Sequence, residues 1–360
     1  MEGSGLCLTY HPDLDKLTNF NSSKRERKKC ELDKKVEISA PGKLMLFGEH
    51  AVIYKRPCIV TAVDQRMRVS AELTETKFLR IEAPDVGVKE YMEQIGSDAN
   101  SDLPKGARFA VTAVRNFYNY YGIRSGVTIR TKSEFSSTFG FGSSSAITTA
   151  VLKSLSELFG IGISKKELFE LSYKTVLDVQ GLGSGSDLAA AIWGGTIYFK
   201  SEGLEIVPLN VNNLPLTVGY TGIKADTPTL VRHVADFYSR HENLANRIFD
   251  TISDIVEQAR DSLVDFNIEN LGYLMNINQG LLDSLGVNNL ELSKLIYGAR
   301  QAGAIGAKLS GAGGGDCMIA LSLDQHQELV EQSIDSMGGK VLKIKTGAPG
   351  VHVEQHTDTW

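Results

Sequence analysis

The stretch FGFGSSSAITTAVLKSL, residues 139–155, sets two glycines and three serines directly against a run that reads as a helix. Glycine permits positive φ and close backbone approach, and the first turn of a helix offers unpaired N–H groups at the positive end of its dipole. A phosphate is the natural occupant of such a place. The hydroxyls of Ser143, Ser144 and Ser145 can add hydrogen bonds to it or reach a metal ion that the phosphate holds. The same letters also describe a tight strand-to-helix turn with a serine cap, and one cluster does not choose between the two.

Two further glycine clusters lie downstream, QGLGSGSDLAAAIWGG (180–195) and KLSGAGGGDCMIAL (308–321), each with an acid at an edge. Asp187 enters an alanine-rich helical run, where a carboxylate in the first turn complements the dipole whether or not it performs chemistry. Lys43, in APGKLMLFGEH, reads equally as an ordinary lysine at a strand start. Neither GxxxxGK[ST] nor a strand followed by GxGxxG with an acid about twenty residues on is present, which excludes the P-loop and Rossmann signatures.

The chain has 360 residues, 42% hydrophobic and 22% charged, and 35 glycines, modestly above the ~7% average. Single cores stop growing near ~250–300 residues, so two domains are expected. The net charge of -5 argues against a nucleic-acid partner. Four scattered cysteines, Cys7, Cys30, Cys58 and Cys317, form no CxxC pair, so neither a disulfide framework nor a zinc knuckle is expected. With no apolar run of membrane-spanning length and no export leader, a cytoplasmic location without a membrane partner is expected. Residues 1–35, ending in KRERKKCELDKK, read as a polar tail because acids interrupt the basic run.

From Val36 the runs VEISA, KLMLF, PCIVTAV, MRVSAEL, FLRIEA and GVTIRTK read as strands, with helices predicted over 107–122 and 144–160, each closed by a glycine. Turn formers over 201–217 suggest a boundary, giving domains 36–208 and 209–360. Beyond it LTVGYTGI reads as a strand, and 228–302 is helical in pattern with breaks near 267–270 and 286–289. AKLSG and CMIAL then flank the last glycine loop, and a helix over 324–337 precedes strands KVLKIK and GVHVE. This mixture without regular βα alternation predicts an α+β fold.

Taken in order and spacing, APGKLMLFGEHAVIY (40–54), GFGSSSA (140–146) and KLSGAGGGDC (308–317) resemble the three motifs of the GHMP kinase superfamily. The likeness runs from about Val36 to Val353. Within the superfamily, GEHAVIYKRPCIVTAVD and GSGSDLAAAIWGG look most like the mevalonate kinases. The resemblance implies a two-domain α+β fold, the N-terminal half like domain 2 of ribosomal protein S5 and the C-terminal half ferredoxin-like, with the active site between them. It also implies ATP and Mg²⁺ as cofactors, transfer of the γ-phosphoryl group to the primary hydroxyl of mevalonate, and a homodimer among the expected assemblies.

Position by position, the resemblance places Gly140, Phe141, Gly142, Ser143, Ser144 and Ser145 around the ATP phosphates, with Gly311 and Gly313 also on the nucleotide and Ser144 facing Mg²⁺. Lys43 would pair with Asp187 beside the attacking hydroxyl, and Glu49, His50 and Thr227 would lie on the substrate side. These roles suit phosphoryl transfer, which needs positioning and charge neutralisation more than covalent chemistry. Ser136 and Ser137 stand where proline is usual, and Phe141 replaces a leucine. The glutamate that holds Mg²⁺ in many members falls at Val176, leaving Asp178 as the nearest acid. A phosphomevalonate kinase, with Lys224 and Arg232 supplying charge, or a sugar or heptose kinase are the alternatives. A ligand sensor on the same fold is the rival from another class.

Overall fold

In the computed structural model, which describes residues 35–96, 103–211 and 213–354, the alternating runs that begin at Val36 become strands of one large sheet. Nearly all of the expected polar tail, with Cys7 and Cys30, lies outside the described residues. VEISA and KLMLF form a single strand, β1 (Lys35–Phe47), with irregularities in register between Pro41 and Gly42 and between Met45 and Phe47. PCIVTAV and MRVSAEL likewise fuse into β2 (Pro57–Thr74). β2 carries β1 on one edge; on the other, β6 (Thr196–Lys200) pairs with residues 57–61 and β5 (Gly126–Ser133) with 67–74. The sheet continues through β3 (Phe78–Ala83), parallel to β5, to β4 (Val88–Gln94), while β7 (Glu205–Leu209) extends β6.

Four helices follow within this half, α1 (Arg108–Tyr121), α2 (Ser143–Leu158), α3 (Lys165–Gln180) and α4 (Ser186–Trp193). The apolar face of α1, Ala110, Val111, Val114, Phe117 and Tyr118, recurs at helical spacing and is buried, and Gly122 ends the helix at φ 67°. α2 is buried on most of its surface because it lies against β1 and β2 on one side and α1 and α3 on the other. The first turn of α2 is thereby fixed against β1, the strand that carries Lys43.

A second sheet, with β11 (Lys340–Leu342), β8 (Leu216–Tyr220), β10 (Cys317–Leu321) and β9 (Gly306–Ser310) in that order, is wholly antiparallel. Helices α5 (Thr227–Arg240), α6 (Glu242–Val264), α7 (Ile268–Ser284), α8 (Leu290–Gln301) and α9 (Asp324–Ser336) complete this half. The chain is α+β, and no helix among the described residues is long and apolar enough to cross a membrane.

The C-terminal end does not stay with the second sheet. Residues 346–353 cross back to the first: Thr346 bridges Val63, Pro349 bridges Gly194, and β12 (His352–Val353) pairs with β1. Arg66 holds this strap. Its guanidinium donates to Ser39 Oγ at 2.6 Å, to the Ser39 carbonyl at 3.0 Å and to the carbonyls of Pro349 and Gly350 at 2.8 and 3.0 Å. Burial pushes that guanidinium down to about 10.

Candidate active site

Lys43 sits in the middle of β1, directly after the irregularity at Pro41 and Gly42, and its side chain is 8% exposed. Its backbone N–H donates to the Phe141 carbonyl at 3.0 Å, which ties the glycine loop to the strand. Asp187 occupies the first turn of α4, 34% exposed, with Oδ1 3.4 Å from Lys43 Nζ. A Cβ added to Gly142 would stand 3.2 Å from both Asp187 Oδ2 and Lys43 Cγ. The missing side chain is therefore what lets the loop touch both members of the pair.

Gly142 is also the N-cap of α2, at φ 73°, and no side chain caps that helix. The first-turn N–H groups beside Ser143 and Ser144 stay available for an anion. The side chain of Phe141 is 1% exposed, among Phe135 and Phe139, so this residue offers only backbone to a ligand. Upstream, Ser136 replaces the expected rigidity of proline with hydrogen bonds: its Oγ lies 2.7 Å from Thr138 Oγ1 and accepts from the Thr138 N–H at 3.2 Å. Alongside lies a cavity of about 420 Å³, lined by Phe109, Ala110, Phe135, Ser137, Ser143 and Ser144 among others and reached by Lys105 and Asp85. Its walls come from β2, β3, β5, α1 and α2, which is why no single stretch of sequence announces it.

The third glycine cluster meets the first. A Cβ on Gly140 would fall 2.5 Å from Asp316 Oδ2, and the Cys317 thiol donates to the Phe139 carbonyl at 3.2 Å. Asp316 in turn accepts from Lys224 Nζ at 3.1 Å and from the Ala225 N–H at 2.9 Å. Gly311 has no atom within 4 Å of where a side chain would begin, whereas Gly313 is pressed against the Val287 carbonyl. Thr227 opens α5 in an exposed position, two residues beyond Ala225.

Two sequence expectations need correction. Glu49, expected on the substrate side, is 0% exposed: Lys308 Nζ donates to Oε1 and Asn278 Nδ2 to Oε2 at 3.1 Å. A carboxylate desolvated to this degree needs such partners, and they leave it none to offer the cleft. Asp178, proposed as a metal ligand, lies on α3 bound to Lys174 Nζ at 2.6 Å and Asn116 Nδ2 at 2.8 Å. Its hydrogen-bond partners are thus on α1 and α3, and Val176 is buried. The charges expected to favour a phosphorylated substrate are also engaged, Lys224 with Asp316 and Arg232 with Thr229 at 2.8 Å.

His50 is 5% exposed with φ 59°, and its Nε2 lies 2.9 Å from the Ala312 carbonyl. Burial lowers the pKa of the ring, and the Ala312 bond opposes this. A neutral ring donating through Nε2 leaves Nδ1 as an acceptor, and that atom is buried without a partner. Lys308, Asn278 and Asp316 were not among the expected site residues. The only sequence signal for them is their place in or near the motifs.

The chain matches the family models described as GHMP kinases N terminal domain, over residues 108–195, and GHMP kinases C terminal, over 241–340. Over 332 residues it is 37% identical to the mevalonate kinase of Thermococcus sibiricus, covering 89% of this chain and 98% of that protein. Among solved structures, a Lin0012 protein from Listeria innocua superposes with a TM-score of 0.80 at 26% identity, covering 89% of this chain and 100% of that one. The L. major mevalonate kinase in complex with R-mevalonate superposes with a TM-score of 0.72 at 24% identity, over 88% of this chain and 97% of that one, a likeness of fold.

Proposed function

Since this chain belongs to the GHMP kinases, we propose that it transfers the γ-phosphoryl group of ATP to the primary hydroxyl of mevalonate, giving 5-phosphomevalonate and ADP. The observation that carries the reading is the contact of the Lys43–Asp187 pair with Gly142, the uncapped start of α2. An anion-binding helix end and a carboxylate–ammonium pair stand within one side chain's reach of each other. Phosphoryl transfer needs a phosphate cradle and an oriented hydroxyl side by side in this way.

In this reading the 420 Å³ cavity takes the nucleoside and the N–H groups of Ser143 and Ser144 take the phosphate oxygens. The acceptor hydroxyl lies against Asp187, whose carboxylate accepts its hydrogen bond and aims its lone pair at the γ-phosphorus. As the new O–P bond forms and the bond to the β-phosphate bridging oxygen breaks, the proton passes toward Asp187, and Lys43 stabilises charge on the oxygens. Lys43 is suited to this by its burial, which strengthens its field.

Magnesium is implied by the family. Mg²⁺ takes few protein ligands when phosphates and waters complete its octahedron, so a serine hydroxyl and one carboxylate are enough. Ser144, partly exposed at the cradle, and Asp187 supply such hard oxygens. When bound, the ion would neutralise phosphate charge.

The test is ADP release from purified protein with ATP and Mg²⁺, offered mevalonate, 5-phosphomevalonate and a panel of sugars in parallel. Turnover on mevalonate alone is expected. Turnover confined to phosphomevalonate or a sugar overturns the substrate, and none at all favours the sensor.

A further inference from the structure

Three contacts join β1 and the residues just after it to β9 and the glycine loop that follows. Ser310 Oγ accepts from the Met45 N–H at 3.0 Å and donates to the Met45 carbonyl at 2.9 Å; His50 Nε2 donates to the Ala312 carbonyl. Between them stands the Glu49–Lys308 pair, with both side chains 0% exposed. Lys308 Nζ also donates to the Leu309 carbonyl at 2.6 Å and lies 6.0 Å from the centroid of the Phe47 ring. Asn278, from α7 and likewise 0% exposed, holds the second oxygen of Glu49.

An ion pair in such a place is not needed for cohesion, because well-packed apolar residues of similar volume serve as well or better. What the charges add is direction. A desolvated ammonium tolerates only the arrangement in which its carboxylate and carbonyl partners are in reach, whereas apolar side chains tolerate slippage. The placement gives that direction a use. Lys308 lies three residues before Gly311, and Glu49 lies six residues after Lys43 on the same segment. The pair thus sets where the last glycine loop stands relative to the reacting pair.

We propose that Glu49, Lys308 and Asn278 form a latch that fixes the loop 311–315 against β1, so that Glu49 and Lys308 act as positioning residues for phosphoryl transfer and touch neither substrate. The catalytic part of this inference rests on the kinase reading above; the latch itself rests on the burial and bonding of the three residues.

The experiment compares the parent with Glu49→Gln, Asn278→Ala and the double variant Glu49→Leu/Lys308→Met. It reads kcat, both KM values for mevalonate and ATP, the melting temperature, and hydrogen exchange of the 311–315 amides without ligands. Glu49→Gln, which keeps the shape, is expected to speed loop exchange and to lower kcat about 10²-fold, the cost of misplacement near 1 Å, with both KM values within about 3-fold. Asn278→Ala is expected to do the same to a smaller degree. The double variant is expected to melt no lower than the parent and to keep the kcat defect.

A double variant with parental melting and parental kcat reduces the pair to cohesion and overturns the proposal. So does a Glu49→Gln protein whose mevalonate KM rises tenfold or more at unchanged kcat, since that marks a substrate ligand. If Glu49→Gln fails to fold, Asn278→Ala and the double variant still decide. Faster loop exchange in a protein that never phosphorylates mevalonate keeps the latch and sinks the substrate; turnover in the parent with loop exchange unchanged in every variant sinks the latch.

Discussion

Replacing Gly142 by alanine places one methyl group between the phosphate cradle and the reacting pair, and its two effects can be separated. The first is backbone strain: at φ 73° an alanine costs about 1–2 kcal/mol, which lowers the melting temperature by roughly 2–5 °C. The second is displacement. The new Cβ would stand 3.2 Å from Asp187 Oδ2, 3.2 Å from Lys43 Cγ and 3.4 Å from Lys43 Cε, so loop and pair must part by a few tenths of an ångström. If a misplacement of 1 Å costs about 10²-fold, that shift lowers kcat about 10-fold. Gly122→Ala is the control, because Gly122 has nearly the same φ, 67°, with nothing within 4 Å of the added carbon. Coupled ADP-release kinetics and thermal melts on both proteins should show equal losses of stability and a loss of rate in Gly142→Ala alone. Equal rates in the two variants would refute the contact between the cradle and the pair as a determinant of turnover.

Asp187→Asn removes the carboxylate that orients the hydroxyl, so kcat should fall about 10²–10⁴-fold while ATP affinity stays within a few-fold, checked by titration with labelled nucleotide; unchanged behaviour would favour a sensor. His50 is held below its usual 6.5 by burial, so the unfolded chain binds its proton first as pH falls; stability is full above about 6.5 and declines below it by at most about 1.4 kcal/mol per pH unit. Urea midpoints at pH 7.5 and 5.5 should therefore differ less in His50→Gln than in the parent. Arg66→Ala leaves the carbonyls of Ser39, Pro349 and Gly350 without their charged donor, and a loss of about 3–5 kcal/mol in urea unfolding is expected. Early proteolytic cleavage near residues 343–350 should accompany it.

The strands and helices were legible wherever burial imposes a period. The 107–122 helix is a one-sided element whose pattern survives reading without partners, and GVTIRTK, buried on both faces over most of its length, is legible from its β-branched content. β4 is not, because Lys89 and Glu90 are exposed and break its pattern, and β7 falls inside the 201–217 run of turn formers, with Pro208, which an edge strand paired only with β6 tolerates. In the site, Lys43 and Asp187 were nameable because their motif spacings resemble those of a known family. Glu49 was misread for a physical reason: the same letters suit an exposed ligand or a sealed ion pair, and the deciding partner, Lys308, lies 259 residues away. The cavity beside Ser143 was invisible for a similar reason, since it exists only when five elements meet.

The strap that returns from the second sheet bears on how the protein is born. Arg66 and Ser39 leave the ribosome early, but the carbonyls of Pro349 and Gly350 that complete their network follow Arg66 by 283 and 284 residues. At about 5–20 residues per second, some 15–60 s pass between the two events. Through that interval the guanidinium must remain hydrated and the outer edge of β1 near Ile38 unpaired, a state open to association with neighbouring nascent chains. Completion of the first sheet therefore waits until the second half has been made, and the free edge of β1 is the surface to protect in the meantime.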